Sequence, residues 1–286
     1  MVYFNYQISD AEVKAMKKNI NIIVANPAGN VTIFVLNKFP RSQYQTVATQ
    51  LLELEEYAAE QVCFILEMAD EKPYGKMEMC GLEFCGNASR SFGLIIAKKL
   101  KINGLGQITV SVSGSEELLT VGVDTERNYT KINMPKPLSV ETIENTPIAM
   151  LNGCKKVDFG GIIHVVLTDV EPSRDNFDII KDYINKEYDP PAVGAMFYNT
   201  SESILVPVVY VKDVNTTYFE GSCGSGTTAV AVAFATDESD GTYSFTLPQP
   251  AGTICATVEK SNGNINDVYI QGQVSLSDII SVEIDL

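Results

Sequence analysis

The chain has 286 residues, 45% of them apolar, and a formal net charge of −15. That length supports one large core or two of ordinary size, and the acidic balance excludes nucleic acid and anionic membrane as partners, since both call for clustered Lys and Arg. No apolar run approaches the roughly 18 residues of a membrane-spanning helix, and six cysteines in so long a chain do not make a disulfide scaffold.

In chain order, Met1–Tyr6 has neither a basic n-region nor a continuous apolar h-region, so the expectation is a cytoplasmic protein with reduced thiols. Strand-like runs are expected at 20–25, 31–36 and 61–66, then 108–112, 118–123 and 131–134, then 162–167 and 204–211, and finally 243–247, 253–258 and 268–270. A helix is expected over 42–59, where Val47, Leu51, Leu52, Leu54 and Tyr57 repeat at a 3.6-residue period. Others are expected at 87–100 and at 175–186, the latter carrying Phe177, Ile179, Ile180, Tyr183 and Ile184. A fourth, 227–235, is almost wholly Ala, Val and Phe and should be buried all round. The segment 135–147, bracketed by Pro135, Pro137 and Pro147, reads as a linker.

Two of these helices open on a cysteine in a turn of small residues, Cys85-Gly86-Asn87-Ala88 and Cys223-Gly224-Ser225-Gly226, the cysteines standing 138 positions apart. The same offset relates Gly114 to Gly252 and Ile132 to Ile270, while Gly29 and Gly160, each leading an apolar run, are offset by 131. Such a repeat is too long for a solenoid unit of about 20–50 residues and suits two related domains. A thiol at a helix start meets unpaired N–H groups and the positive end of the dipole, so its thiolate is favoured. Two thiols so placed suggest a site in which they face one ligand.

These turns resemble the two signature turns of the diaminopimelate epimerase-like family, pyridoxal-phosphate-independent amino acid racemases and epimerases. Gly29-Asn30, Glu60-Gln61 and the ends of Gly160–His164 resemble further family segments. The Glu-Arg pair that precedes the second cysteine in diaminopimelate epimerases is replaced by Val214-Asn215, which removes the fork for a distal carboxylate. The runs Glu83–Ala88, Asn26–Asn30, Ser222–Thr227 and Ile270–Val274 are instead similar to histidine racemases of this family, the type that feeds D-histidine to opine metallophore synthesis. The resemblance implies an α+β fold of two pseudosymmetric domains, 1–137 and 138–274, each a barrel-like sheet around a central helix, with the tail 275–286 returning to the first. It also implies a small-molecule amino acid substrate in the cleft between them, no cofactor, no metal and a homodimer.

Racemisation removes a proton from one face of Cα and returns one to the other, so Cys85 and Cys223 become the two acid/base groups. Gly86, Asn87, Gly224 and Ser225 would supply N–H donors to the α-carboxylate as charge spreads into it. Glu60 reads either as a solvated strand end or as the acceptor for an imidazole, and Asn30 either as a ligand to substrate polar groups or as a turn residue. His164, the single histidine, is either a satisfied core residue or part of the pocket wall. Cys80 lacks the helix-opening residues that follow Cys85, and no second ligand pair accompanies the two as a zinc set would require. Cys63, Cys154 and Cys255 read as core. Other enzymatic readings are diaminopimelate epimerase or another amino acid racemase; outside catalysis, an amino-acid-binding or redox dithiol protein on the same fold.

Overall fold

The computed structural model describes residues 17–213 and 215–286; Met1–Tyr6 and Val214, both invoked above, lie outside the described residues. A twelve-stranded sheet is built from β1 (Lys17–Asn26), β2 (Thr32–Val35), β3 (Gln61–Met68), β4 (Gly75–Met79), β5 (Leu105–Val112), β6 (Leu119–Asp124) and β7 (Tyr129–Asn133). The six strands β8 (Ser139–Thr142), β9 (Lys155–Asp158), β10 (Ile163–Thr168), β11 (Ala192–Asn199), β12 (Ile204–Val211) and β13 (Thr216–Phe219) form a second sheet in the order β13-β12-β11-β10-β9-β8. The chain then returns to the first sheet with β14 (Gly241–Gln249), β15 (Gly252–Ser261), β16 (Asn264–Gln273), β17 (Ser275–Leu276) and β18 (Ile280–Asp285). The order there is β14-β15-β16-β7-β6-β5-β4-β3-β2-β1-β17, with β18 also paired to β1. This is an α+β protein of mostly sheet. Among the described residues neither sheet closes on itself, so the expected barrel-like sheets are open: the first ends at β14 and at β17, the second at β13 and β8.

Among the described residues four α-helices cover these sheets: α1 (Tyr44–Leu52), α2 (Gly86–Lys99), α3 (Arg174–Tyr188) and α4 (Gly224–Thr236). α3 is amphipathic, burying Phe177, Ile180 and Ile184, and starts at Ser173, whose side chain accepts from the Asn176 N–H. α2 lies on β5, β6 and β7, whereas α4 is packed between β14–β16 on one side and β9–β11 on the other. A helix with sheet on both sides has no face left for water, which is why its sequence is apolar throughout. No helix among the described residues is long and apolar enough to cross a membrane.

The helix expected over 42–59 is shorter. It stops at Leu52, and Glu55–Tyr57 forms a separate 3-10 turn. Glu53, Glu55 and Glu56 would all fall at the C-terminal end, where the dipole disfavours acidic groups. The expected linker 135–147 contains β8, which pairs with β9, and β4, β9, β11, β13, β17 and β18 are further strands the hydropathy pattern did not single out.

The first sheet is continuous because β7 pairs with β16, and in that ladder Ile132 sits directly opposite Ile270. This junction carries the helix starts of α2 and α4 toward one another.

Candidate active site

Each cysteine caps its helix with its own sulfur. Cys85 has φ −129° and ψ 112° and accepts from the Ala88 N–H at 3.4 Å. Cys223 has φ −131° and ψ 116° and accepts from the Gly226 N–H at 3.3 Å. Hydroxyls reinforce both first turns: Ser89 Oγ donates to the Cys85 carbonyl at 2.7 Å and Thr227 Oγ1 to that of Cys223 at 2.6 Å. The N–H groups of Gly86, Gly224 and Ser225 have no internal acceptor among the described residues. They are the donors a carboxylate arriving between the helices would meet.

The two starts are close. A Cβ placed on Gly224 would lie 3.8 Å from Asn87 Cγ and 3.9 Å from the Asn87 nitrogen, and 3.1 Å from Ile270 Cδ1. One placed on Gly86 would lie 2.9 Å from the same Ile270 Cδ1. Ile270 therefore forms a shared apolar floor, and side chains larger than hydrogen at these positions would intrude on it.

Around Cys85 the polar groups form one network. Gln61 Nε2 donates to Cys85 Sγ at 3.3 Å and to Asn30 Oδ1 at 2.8 Å; Asn87 Nδ2 reaches the same Asn30 oxygen at 3.3 Å. Asn30 Nδ2 in turn donates to Glu60 Oε2 at 2.7 Å, so Glu60, itself exposed, is held at the mouth of the site, with Oε1 3.0 Å from where a Gly221 Cβ would stand. Beneath this network Arg90 is wholly buried. Its guanidinium donates to Asn87 Oδ1 at 3.1 Å, Thr130 Oγ1 at 3.3 Å, and the carbonyls of Pro27, Gly272 and Gln273 at 3.1, 3.1 and 3.3 Å. None of these acceptors is a carboxylate, and burial pulls the Arg90 pKa down to about 10.

Around Cys223 the neighbours differ. Three residues before it stands Glu220, whose carboxyl burial pushes up to about 7 with a further push from Glu60, and which in turn raises the Cys223 thiol. Ser225 Oγ lies 3.5 Å from Cys223 Sγ and 3.0 Å from His164 Nε2. Gln249 fixes the turn from behind, accepting from the Cys223 N–H at 2.8 Å and donating to Thr227 Oγ1 at 2.8 Å. His164 is fully buried, and burial lowers its pKa to about 3, so the ring is neutral. Its Nδ1 has no partner and faces Gly194, where a Cβ would come within 2.1 Å. A bare buried nitrogen is less costly than a buried N–H without an acceptor, which assigns the proton to Nε2. His164 thus donates to Ser225, whose own proton is free for Cys223 Sγ. It reaches Cys223 only through Ser225.

Helix starts lower a thiol pKa, and the Ala88 and Gly226 N–H groups act in that sense here. Burial is the larger cause and wins: both thiols are pushed up, Cys223 well above its usual value with Glu220 adding to the rise. The dipole's pull toward the thiolate is thus set against a larger opposing effect of burial. Cys80 is elsewhere, against Gln45 and the α1 cluster; Cys63 is buried, while Cys154 and Cys255 are only half-buried.

Sequence reasoning singled out Cys85, Cys223, Asn30, Glu60, Gly86, Asn87, Gly224 and Ser225, and the fold brings them together. It passed over Arg90, Glu220 and Gln249, and noted Gln61 only as part of a motif. The signal for Glu220 was present, since an acid precedes each cysteine closely, Glu83 and Glu220.

The family model for the histidine racemase CntK N-terminal domain matches residues 19–279. The chain is 34% identical over 221 residues to a histidine racemase of Fusobacterium nucleatum subsp. nucleatum, covering 74% of this chain and 80% of the relative. It is 27% identical over 257 residues to a histidine racemase of Staphylococcus aureus strain Mu50, covering 87% and 92%. Among solved structures it is similar to a hydroxyproline epimerase from Agrobacterium vitis with bound trans-4-hydroxy-L-proline, at a TM-score of 0.60 and 13% identity over 93% of this chain and 92% of that one. A predicted epimerase from Pseudomonas aeruginosa gives a TM-score of 0.65 at 10% identity over 93% and 99%. At those identities the structural likeness carries the fold, that of epimerases and racemases.

Proposed function

Because this chain belongs to the histidine racemase family, we propose that it interconverts L- and D-histidine through two thiols, Cys85 and Cys223, on opposite faces of Cα. It is an isomerase acting on a small amino acid. One observation carries the two-thiol reading: two helix starts, each capped by a cysteine sulfur, converge on Ile270 with their free N–H groups turned to the same space. The α-carboxylate would be held by Gly86, Gly224 and Ser225 N–H groups, which favour the carbanion by drawing charge into the carboxylate. One cysteine, as thiolate, takes the Cα proton and becomes a thiol, while the other, as thiol, delivers its proton to the opposite face and becomes a thiolate. Glu60, aligned by Asn30, would accept from the imidazole.

The same proposal reads the chain as two pseudosymmetric lobes, 1–137 and 138–274, with 275–286 added to the first. Three features support it: the near-equal cap dihedrals, the pairing of Ile132 with Ile270 across an antiparallel ladder, and the pairing of β18 with β1. A homodimer in a reducing compartment is part of this reading by family likeness. Chiral chromatography of L-histidine incubated with the protein, without added pyridoxal phosphate, tests the activity. Loss of D-histidine formation in both Cys85→Ser and Cys223→Ser, with folding retained, is the expected result; a serine variant at wild-type rate removes the two-thiol reading.

A further inference from the structure

The two thiols share a cap but not an electrostatic environment. Position 228, which matches 90 at the 138-residue offset, is Thr, and its hydroxyl turns inward to the Gly224 carbonyl at 2.9 Å. Among the described residues, only the Cys85 side therefore has a buried cation beneath it, one whose hydrogen-bond acceptors include no carboxylate. Both sides have an acid in the preceding turn, but the two are aimed differently. The Glu83 carboxylate folds back beside Gly81, with Oε2 2.5 Å from where a Gly81 Cβ would stand, and acts on Cys85 through its charge. The Glu220 carboxylate, three residues before Cys223, acts on that thiol and raises it. The remaining groups facing Cys85 are neutral, Gln61, Asn30 and the Cys63 thiol; those facing Cys223 are Ser225, neutral His164 behind it, and Glu60 beyond Glu220.

Resting on the two-thiol reading, we propose that the ligand-free enzyme is polarised: Arg90 makes Cys85 the thiol that ionises first and serves as base, while Glu220 holds Cys223 protonated as acid. Arg90 and Glu220 are positioning residues, since each acts through a cysteine. Arg90 reaches the site through Asn87, which joins Asn30 and Gln61 beside the Cys85 sulfur. An unneutralised buried cation gains from a nearby anion, and the interaction with Cys85 raises Arg90 accordingly. In turnover the Cys85 thiolate takes the Cα proton and the Cys223 S–H gives its proton to the other face, leaving Cys85 as thiol and Cys223 as thiolate. The return to rest moves one proton from Cys85 to solvent and one from solvent to Cys223. Glu220, with a pKa near 7, can carry the second.

Site-resolved alkylation of the full-length protein by iodoacetamide from pH 5 to 11, read by mass spectrometry, tests this. Midpoints are compared rather than rates, because rates also report access. The expected result is a lower midpoint for Cys85 than for Cys223. Glu220→Gln, which keeps the shape of a half-buried side chain, should lower the Cys223 midpoint and speed its alkylation at pH 8 about tenfold, a one-unit pKa change. Arg90→Met should raise the Cys85 midpoint by a similar amount and Arg90→Lys should restore it. Should the Arg90 variants not fold, the wild-type order and Glu220→Gln still decide. A Cys223 midpoint at or below that of Cys85, or one unmoved by Glu220→Gln, overturns the proposal. If both serine variants are inactive while the order is reversed, this inference alone falls; if a serine variant still racemises, the two-thiol reading falls with it.

Discussion

Cys85 and Cys223 begin their helices within about four degrees of each other in both dihedrals, each with its sulfur on the N–H three residues ahead. Their surroundings diverge. Beneath Cys85 lies a buried guanidinium tied to three carbonyls, two side-chain oxygens and no anion; beside Cys223 lies a carboxylate, with a neutral buried imidazole one hydroxyl away. A cap is a local structure, fixed by four consecutive residues, and duplicates with them. Proton affinity is set by whatever the tertiary fold packs against the sulfur. Two chemically opposite roles can thus arise from one repeated turn.

The strongest way to break the comparison is to remove one sulfur at a time. Cys85→Ser and Cys223→Ser should each lose racemisation by roughly 10³-fold, within the range for general acid–base groups. Each should still exchange Cα hydrogen with solvent, from opposite enantiomers, as one base survives in each. Exchange from the same enantiomer in both would mean that the thiols do not stand on opposite faces.

The next contrast sets His164, behind Ser225, against the Asn87 side, where no histidine stands. The folded protein refuses a proton on His164 down to about pH 3, while the unfolded chain accepts it near 6.5. Stability contributed by the neutral ring is present above pH 6.5 and lost as pH falls toward 3, about 3–5 kcal/mol in all. Urea unfolding across this range should show a shallower acid slope in His164→Gln than in wild type; equal slopes would contradict a buried neutral ring.

Arg90 and Thr228 give a third contrast. Arg90→Met strands several buried acceptors and should cost about 2–4 kcal/mol, whereas Thr228→Val gives up one hydroxyl bond and should cost about 1 kcal/mol. Equal losses in denaturant midpoints would remove Arg90 from its bridging role. The smallest effect is expected at Glu220. Its folded pKa of about 7 lies above the ordinary carboxylate value, so its ionisation opposes folding increasingly from about pH 4.5 to above 7. Glu220→Gln should therefore raise the unfolding free energy at pH 8, by on the order of 1 kcal/mol once the half-buried carboxylate is discounted for solvent screening, and leave it unchanged at pH 4. A lower unfolding free energy for the variant at pH 8 would show that the carboxylate is better paired than this.

The sequence made the two turns legible because everything they need is local: a cysteine, small residues to let backbones approach, and hydroxyls at the fourth position. It showed that 227–235 is buried all round but not why, since the two sheets that enclose α4 come from strands on both sides of it in the chain. Arg90 was visible as a letter after the first turn, yet its worth depends on Pro27, Gly272 and Gln273, brought to it by the β7–β16 pairing. The short strand β8 hid among prolines because pairing with β9, rather than its own hydropathy, makes it a strand. The helix over 42–59 was overextended because periodicity counts apolar residues and ignores the acidic run against the dipole.

The central claim is that two separate groups handle the proton on the two faces of one carbon. Racemisation of L-histidine in heavy water, stopped within the first few per cent of conversion and separated by enantiomer before mass analysis, tests it directly. Two thiols predict D-histidine carrying deuterium at Cα while the recovered L-histidine remains protiated, because the base that removes the proton is not the acid that replaces it. Deuterium appearing equally in both enantiomers, or D-histidine that keeps its original hydrogen, would mean a single group serves both faces and would contradict the account.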